Sequence, residues 1–399
     1  MQQITLTTFS IKHLIFLASL AIGLVATATS ARSEQPEQVQ ATDKLAVQVE
    51  LLTMGPGPKL FARFGHAALR VRRADGFDRV YNFGYTRFDN PWLVWDFLRG
   101  AALFWAESSS WPETVLNYQD DDRALMRQVL NLTPTESHAL ARRLERAVGP
   151  KSHYVYDHFA NNCSTRLRDL IDDATGHALR RALRKKPVKG TLRDRVREGF
   201  AGRLEILVGI ALVMGRETDR PITRWEAAFL PAELSSALHD VKHHGHPLAG
   251  PPIVVMKRRG PNPNPGDPRA GVLILWLVTM GLLILGGMGL LALRNGQRRA
   301  SLAVLLLALV LGVLSLPPWI LFAVTRLPAL APNELTLVFW PTDLLLAGFA
   351  FRLLRRRLFA GRWLRGYLTL RLSVLALTLL LHLPGWFGQP LVWSILAAT

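Results

Sequence analysis

Beyond Gly271 the chain carries four apolar stretches, at residues 272–293, 302–324, 335–351 and 367–383. Each approaches the ~20 residues that a helix needs to cross the hydrocarbon of a bilayer, the third and fourth being the shortest. A single soluble domain is a poor description of such a chain, and an all-α four-helix transmembrane domain is predicted over 271–399. The loops orient it. Arg294, Arg298 and Arg299 fill the first, Arg352, Arg355, Arg356, Arg357, Arg362 and Arg365 the third, and the second holds only Arg326. Basic loops stay in the cytoplasm, so the second loop, both ends of the bundle and everything before Val272 face outward.

The other end of the chain agrees. Lys12 precedes the apolar run Leu14 to Val25, and small residues occupy Ala26 to Ala31, the pattern of a secretory signal peptide over 1–31 cleaved after Ala28 or Ala31. An uncleaved anchor helix is the alternative, and either one exports the domain behind it. The expected layout is an exported catalytic domain over 32–246, a Pro/Gly/Arg-rich linker over 247–270, and the bundle. Within the linker, Pro261 to Gly266 excludes helix and central strand.

The net charge of +18 invites a nucleic-acid reading. Much of the excess flanks the spans, so an anionic lipid surface is the simpler partner and no nucleic acid is expected. His239, His243, His244 and His246 lack an accompanying Cys or carboxylate pattern, so no metal ligand set is assigned to them.

In the exported domain, Val47 to Thr53 alternates like a strand, Phe61 to Arg72 reads as a second, and Arg79 to Tyr85 as its return across an Asp75-Gly76 turn. If those two residues are the turn centre, His66 faces Tyr85. A one-residue bulge brings Asn82 to that face instead, and the sequence leaves both registers open. Trp92, Trp95, Trp105 and Trp111 punctuate the next segment and suit a core, a headgroup interface or an acyl-chain groove. Helices are expected over 121–147, one starting at Thr133.

Cys163 is the only cysteine, so no internal disulfide exists. Leu167, Leu170, Ile171 and Ala174 recur at helical spacing and Asn161 or Asn162 is a natural cap, which puts Cys163 in the first turn of a helix, where unpaired N–H groups favour a thiolate. A buried structural cysteine on the Leu167–Leu170 stripe is the competing reading, and the polar approach Asn161-Asn162 weighs against it. In the third span, Pro341 and Asp343 lie inside an apolar run. They suggest a functional break on the outer side of the membrane, or a carboxylate that snorkels or caps a helix restarted after Pro341.

The Phe-Gly-His of Phe64 to His66, Tyr81 to Gly84, Asn131 to Thr133, the Tyr-x-Tyr-Asp of Tyr154 to Asp157, the Asn-Cys-x-Thr-Arg of Asn162 to Arg166 and Asn333 to Pro341 together resemble the Lnb-type lipoprotein N-acyltransferase family. The resemblance implies an α+β domain of the permuted NlpC/P60 (papain-like) kind, distantly similar to lecithin:retinol acyltransferase, joined to the bundle. It implies a bacterial inner-membrane enzyme with its catalytic domain in the periplasm. The enzyme would move an acyl chain from a phospholipid to the N-terminal amine of diacylglyceryl-Cys lipoproteins without a cofactor. Cys163 would be the nucleophile, His66 the base and Asn82 the residue orienting the imidazole, with Asn162, Arg166, Trp92, Trp95, Asn333 and Asp343 as substrate contacts. Two other classes stay open: a papain-like cysteine peptidase or amidase cutting cell-wall peptides, and a non-enzymatic membrane scaffold.

Overall fold

A computed structural model describes residues 46–149, 152–274, 298–355 and 361–382, with the single positions 277, 281, 284 and 389. The expected signal peptide and most of the first expected span lie outside these residues.

The exported part is a mixed α/β structure on one seven-stranded antiparallel sheet. Its strands are β1 (Val47–Met54), β2 (His66–Arg73), β3 (Asp78–Tyr85), β4 (Leu103–Ser110), β5 (Leu125–Val129), β6 (Tyr154–Val155) and β7 (Ile253–Met256), in the order β6-β4-β3-β2-β1-β5-β7. Around it lie α1 (Leu93–Arg99), α2 (Trp111–Asp120), α3 (Pro134–Ala147), α4 (Cys163–Ala174), α5 (Leu204–Val213) and α6 (Pro231–Asp240). Successive side chains of a strand point to opposite faces. On one face Val49, Leu51 and Leu69 meet Leu140 and Leu144 of α3, Leu167 and Ile171 of α4 and Leu234 of α6. On the other, Leu52, Met54, Ala68 and Val80 meet Trp111, Val115 and Tyr118 of α2. Both faces are covered, which is why the last six residues of β1 are all buried although its sequence alternates. Each fully buried Leu of that core contributes about 1.5–3 kcal/mol.

The β2–β3 hairpin resolves the register. Arg73 N–H donates to Phe77 O at 2.9 Å, leaving a three-residue loop in which Gly76 takes the left-handed conformation at φ 89°. The shorter two-residue turn is not formed, and Asn82 stands opposite Ala68, on the face that His66 shares. The first strand residue of β2 is His66, because Leu60–Ala62 forms a single 3₁₀ turn where the sequence suggested an extended arm.

Other segments differ from expectation. Leu125–Val129, read as part of a helical stretch, is strand β5, paired with β1 and β7. Part of the stretch read as linker pairs with the sheet: Ile253–Met256 forms β7 against β5, and Leu248 and Ala249 are fully buried. The prolines around this run hide an edge strand, paired on one side with β5. Pro261 to Gly266 carries no regular element. The apolar helix α5 packs against the C-terminal helices, with Leu212 on Leu311, Leu335 and Leu375, and Leu207 and Ile210 on Leu321 and Leu327.

The C-terminal part contains α7 (Arg298–Val324), α8 (Leu335–Val338), α9 (Asp343–Leu354) and α10 (Gly361–His382). Among the described residues, Leu305–Val324 and Leu335–Arg352 are long and apolar enough to cross a membrane. The second of these is interrupted between Val338 and Asp343, around Pro341, which cannot supply the N–H that a continuous helix needs. Asp343 turns into the protein. Its carboxylate accepts from Arg371 Nε at 2.9 Å, Arg371 Nη2 at 2.7 Å and the Tyr367 hydroxyl at 2.7 Å. The loop before α8 docks on the exported domain, through Gly215 N–H to Ala329 O at 2.7 Å, Asn333 Nδ2 to Leu212 O at 2.9 Å and Thr325 Oγ1 to Leu98 O at 2.6 Å.

Candidate active site

The start of α4 is built by its cap. Asn162 Oδ1 accepts from Thr165 N–H at 2.9 Å while Thr165 Oγ1 accepts from Asn162 N–H at 2.8 Å, a reciprocal capping box. Asn162 Nδ2 donates to the carbonyls of His158 and Phe229, both at 2.9 Å, and Asp157 Oδ1 collects the N–H groups of Phe159 and Ala160. The turn into the helix is therefore held from both sides. Asn162, expected to contact substrate, has both ends of its amide engaged within the protein.

Cys163 is half-buried at the first position of α4. Burial pushes its thiol up, but the charge of His66 and a hydrogen bond from it, the Ala67 N–H and the Ser164 hydroxyl outweigh burial and bring it down to about 7. A thiol so placed is substantially ionised at neutral pH, the form in which sulfur is a nucleophile.

His66 Nε2 lies 3.3 Å from Asn82 Oδ1. The neighbouring hydroxyls determine which atom of the amide faces the ring. Thr114 Oγ1 spends its proton on Ser110 O at 2.9 Å, so between Ser109 Oγ and Thr114 Oγ1, also 2.9 Å apart, Ser109 donates. Ser109 Oγ then accepts from Asn82 Nδ2 at 3.3 Å, and the amide oxygen is left for the imidazole. An N–H at Nε2 satisfies it, which leaves Nδ1 for the hydrogen bond between His66 and the Cys163 thiol. Ser109 and Thr114 are functional candidates that sequence reasoning missed, because neither stands near a histidine or cysteine in the chain. Gly84 passes beside the pair at a bulge of β3 with φ 112°, and a Cβ there would stand 3.8 Å from His66 Cε1 and 4.0 Å from Cys163 Cβ.

The three residues open onto a cleft of about 560 Å³ whose apolar wall includes Phe61, Phe64, Tyr85, Phe88, Phe104 and Tyr156. Phe104 and Tyr156 stack at 4.4 Å and Phe61 meets Phe104 edge-on at 6.3 Å. His158 also lines it, with burial holding its imidazole neutral at a pKa of about 4. The cleft's aromatics come from scattered positions on the 3₁₀ turn, β3, β4 and the approach to α4, so no local tryptophan cluster announces them.

The remaining sequence candidates lie elsewhere. Trp92 is 67 % exposed at the start of α1, and neither it nor Trp95 lines the cleft. Arg166 lies over the Tyr154 ring at 4.2 Å. Asn333 holds the α5 end and so serves the join between the domain and the C-terminal helices, whereas Asp343 pairs with Arg371 inside those helices. Of the histidine group, His243 Nε2 and His244 Nε2 both reach Glu136 Oε1, at 2.7 Å and 3.3 Å, and these three donors lie within 4.8 Å of one another. Glu136 is the carboxylate that the sequence pattern lacked. Its other oxygen caps α3 at Thr133 N–H, so the contacts already account for its position.

Residues 34–196 match the family model described as the Lnb N-terminal periplasmic domain, the family to which the motifs from Phe64 to Arg166 point. The matched segment contains Cys163, His66, Asn82, Ser109 and Thr114 and ends before α5. No curated protein and no solved structure matches the chain.

Proposed function

We propose that this protein is a thiol-dependent acyltransferase of the bacterial inner membrane. It carries an acyl chain from a phospholipid ester, through a thioester on Cys163, to the N-terminal amine of diacylglyceryl-Cys lipoproteins. The observation that carries the reading is a thiol lowered to about 7 at a helix start, beside an imidazole tied to an amide and open to an aromatic cleft. The family match supports lipoprotein processing at the level of the family.

In the first step the Cys163 thiolate attacks the ester carbonyl. The Cys163 N–H, unpaired at the helix start, is the oxyanion donor. The C–O bond breaks, the imidazolium gives its Nδ1 proton to the departing alkoxide, and a lysophospholipid leaves. In the second step the lipoprotein α-amine attacks the thioester carbonyl, His66 takes the amine proton, and the C–S bond breaks to restore thiolate and imidazolium. With an amine pKa near 8, a useful fraction is already neutral. Ester to thioester is nearly balanced and thioester to amide is downhill, so no nucleoside triphosphate is required. The domain has the permuted papain-like arrangement, His66 preceding Cys163, and several helices of the bundle span the membrane. Trp92 and Phe88, both exposed, lie on the segment leading into α1, whose end docks at the outer end of α7, where aromatic side chains suit the headgroup layer.

The test is to incubate the purified full chain with a phospholipid and no acceptor. Mass spectrometry should find an acyl adduct on the Cys163 peptide that neutral hydroxylamine removes; an unmodified Cys163 with the phospholipid left intact would favour the cell-wall peptidase or amidase.

A further inference from the structure

The same cleft contains a cation that the chemistry above does not use. Arg123 lies just beyond α2 and lines the cleft with Cys163 and His66, yet only 6 % of its surface is exposed. Its Nε donates to Gly55 O at 2.9 Å and its guanidinium lies 4.7 Å over the Tyr118 ring. Nη2 is buried with no hydrogen-bond partner. Among the described residues no carboxylate lies within ion-pair distance of it. Of the acids beside it in sequence, Asp121 is engaged by Lys59 at 3.0 Å and Asp122 collects the N–H groups of Arg259 and Gly260 at 2.8 Å.

A buried guanidinium without a counter-charge is expensive, and an unfilled donor adds the desolvation cost of a lost hydrogen bond. Tyr118 offers a ring face and no charge. The groups facing Arg123 thus leave its Nη2 without a partner, in a side chain that lines the cleft. A planar, permanently charged fork matches phosphate oxygens in particular. Resting on the reading of this cleft as the acceptor of a phospholipid ester, we infer that Arg123 binds the phosphate group of the donor and so sets the ester carbonyl against Cys163. The phosphorus of a glycerophospholipid lies a few bonds from either ester carbonyl, so a phosphate held on one wall brings a carbonyl within reach of a thiol on another. Lys59 at the rim, largely exposed, adds a screened charge that steers and does not hold.

Ligand protection of the thiol tests this without requiring turnover. The full chain and its Arg123→Gln variant, in neutral detergent at constant ionic strength, are alkylated at Cys163 by iodoacetamide with the dihexyl diether analogue of phosphatidylglycerol, with dihexylglycerol diether, or with inorganic phosphate, none of which has an ester to acylate the thiol. The concentration of the phosphatidylglycerol diether giving half-protection should rise about tenfold in the variant, the size of a lost charge-assisted hydrogen bond, while dihexylglycerol diether treats the two proteins alike. Protection by inorganic phosphate that is likewise lost in the variant supports the phosphate site and identifies free phosphate as a second source; protection by the lipid alone assigns it to the headgroup. Equal protection of both proteins by every probe overturns the inference. Unchanged alkylation without ligand shows that the variant's cleft is intact. Should Arg123→Gln fail to fold, Arg123→Lys carries the same comparison, with protection weakened about threefold because the charge stays and the fork is lost. An acyl transfer independent of Cys163 would defeat the transferase reading and leave this binding result standing.

Discussion

His66 Nε2 meets Asn82 Oδ1 at 3.3 Å, and the Ser109 and Thr114 hydroxyls behind Asn82 turn its amide oxygen toward the ring. The imidazole thereby keeps an N–H at Nε2 and leaves Nδ1 for its hydrogen bond with Cys163. Replacing Asn82 by Ala removes the acceptor and frees the ring to rotate. Acyl transfer should fall about tenfold, the worth of one buried neutral hydrogen bond, with the loss in kcat and not in KM, measured on purified protein with saturating phospholipid.

Thr114→Val tests the chain one link further out. Without that hydroxyl, Ser109 loses its acceptor and becomes free to donate toward Asn82, so the amide no longer has one preferred orientation. A threefold loss of kcat is expected, about 0.6 kcal/mol, and the Asn82→Ala/Thr114→Val double variant should be no slower than Asn82→Ala alone. Additive losses would show that Thr114 acts by another route.

The thiol supplies a pH test. Cys163 sits at about 7 because His66, Ala67 and Ser164 outweigh burial. Its alkylation rate should therefore rise through a midpoint near pH 7. In His66→Ala the largest lowering influence is gone and burial remains, so the midpoint moves above the ordinary thiol value of about 8.5. An unmoved midpoint would show that the helix start and the Ser164 hydroxyl suffice.

Asp343 and Arg371 form a buried pair between α9 and α10. Removing one partner strands a charge, so Asp343→Asn or Arg371→Met should each lower stability by about 3–5 kcal/mol, read as a drop in melting temperature in micelles. The Asp343→Leu/Arg371→Met double variant should recover much of the loss. Equal damage in the double variant would mean that the Tyr367 and Val338 contacts, not the charges, carry the join.

Much of this architecture is written in local signals. The helix beginning at Cys163 announces itself through its asparagine cap and apolar spacing, and the β2–β3 hairpin through Asp75-Gly76. Its register does not, because a single extra loop residue decides which face Asn82 shares with His66, and both loops fit the same sequence. The cleft wall was illegible for a related reason. Phe61, Phe88, Phe104 and Tyr156 meet only because strands distant in sequence become neighbours, whereas the tryptophans that cluster in the chain do not line the cleft. Arg371 stands inside an apolar run with no local signal of a role, although it is the partner that lets Asp343 be buried. The role of α5 comes from tertiary packing alone, since a ten-residue apolar helix reads as an ordinary core element.

The central claim is that Cys163 carries an acyl chain to a lipoprotein amine. It is tested most directly by mass spectrometry of the N-terminal peptide of a reporter lipoprotein, from cells lacking their own N-acyltransferase and expressing either this protein or Cys163→Ala. A third acyl chain present with the intact protein and absent with the variant is the expected result. A diacyl peptide in both strains, with the protein folded and in the membrane, would contradict it.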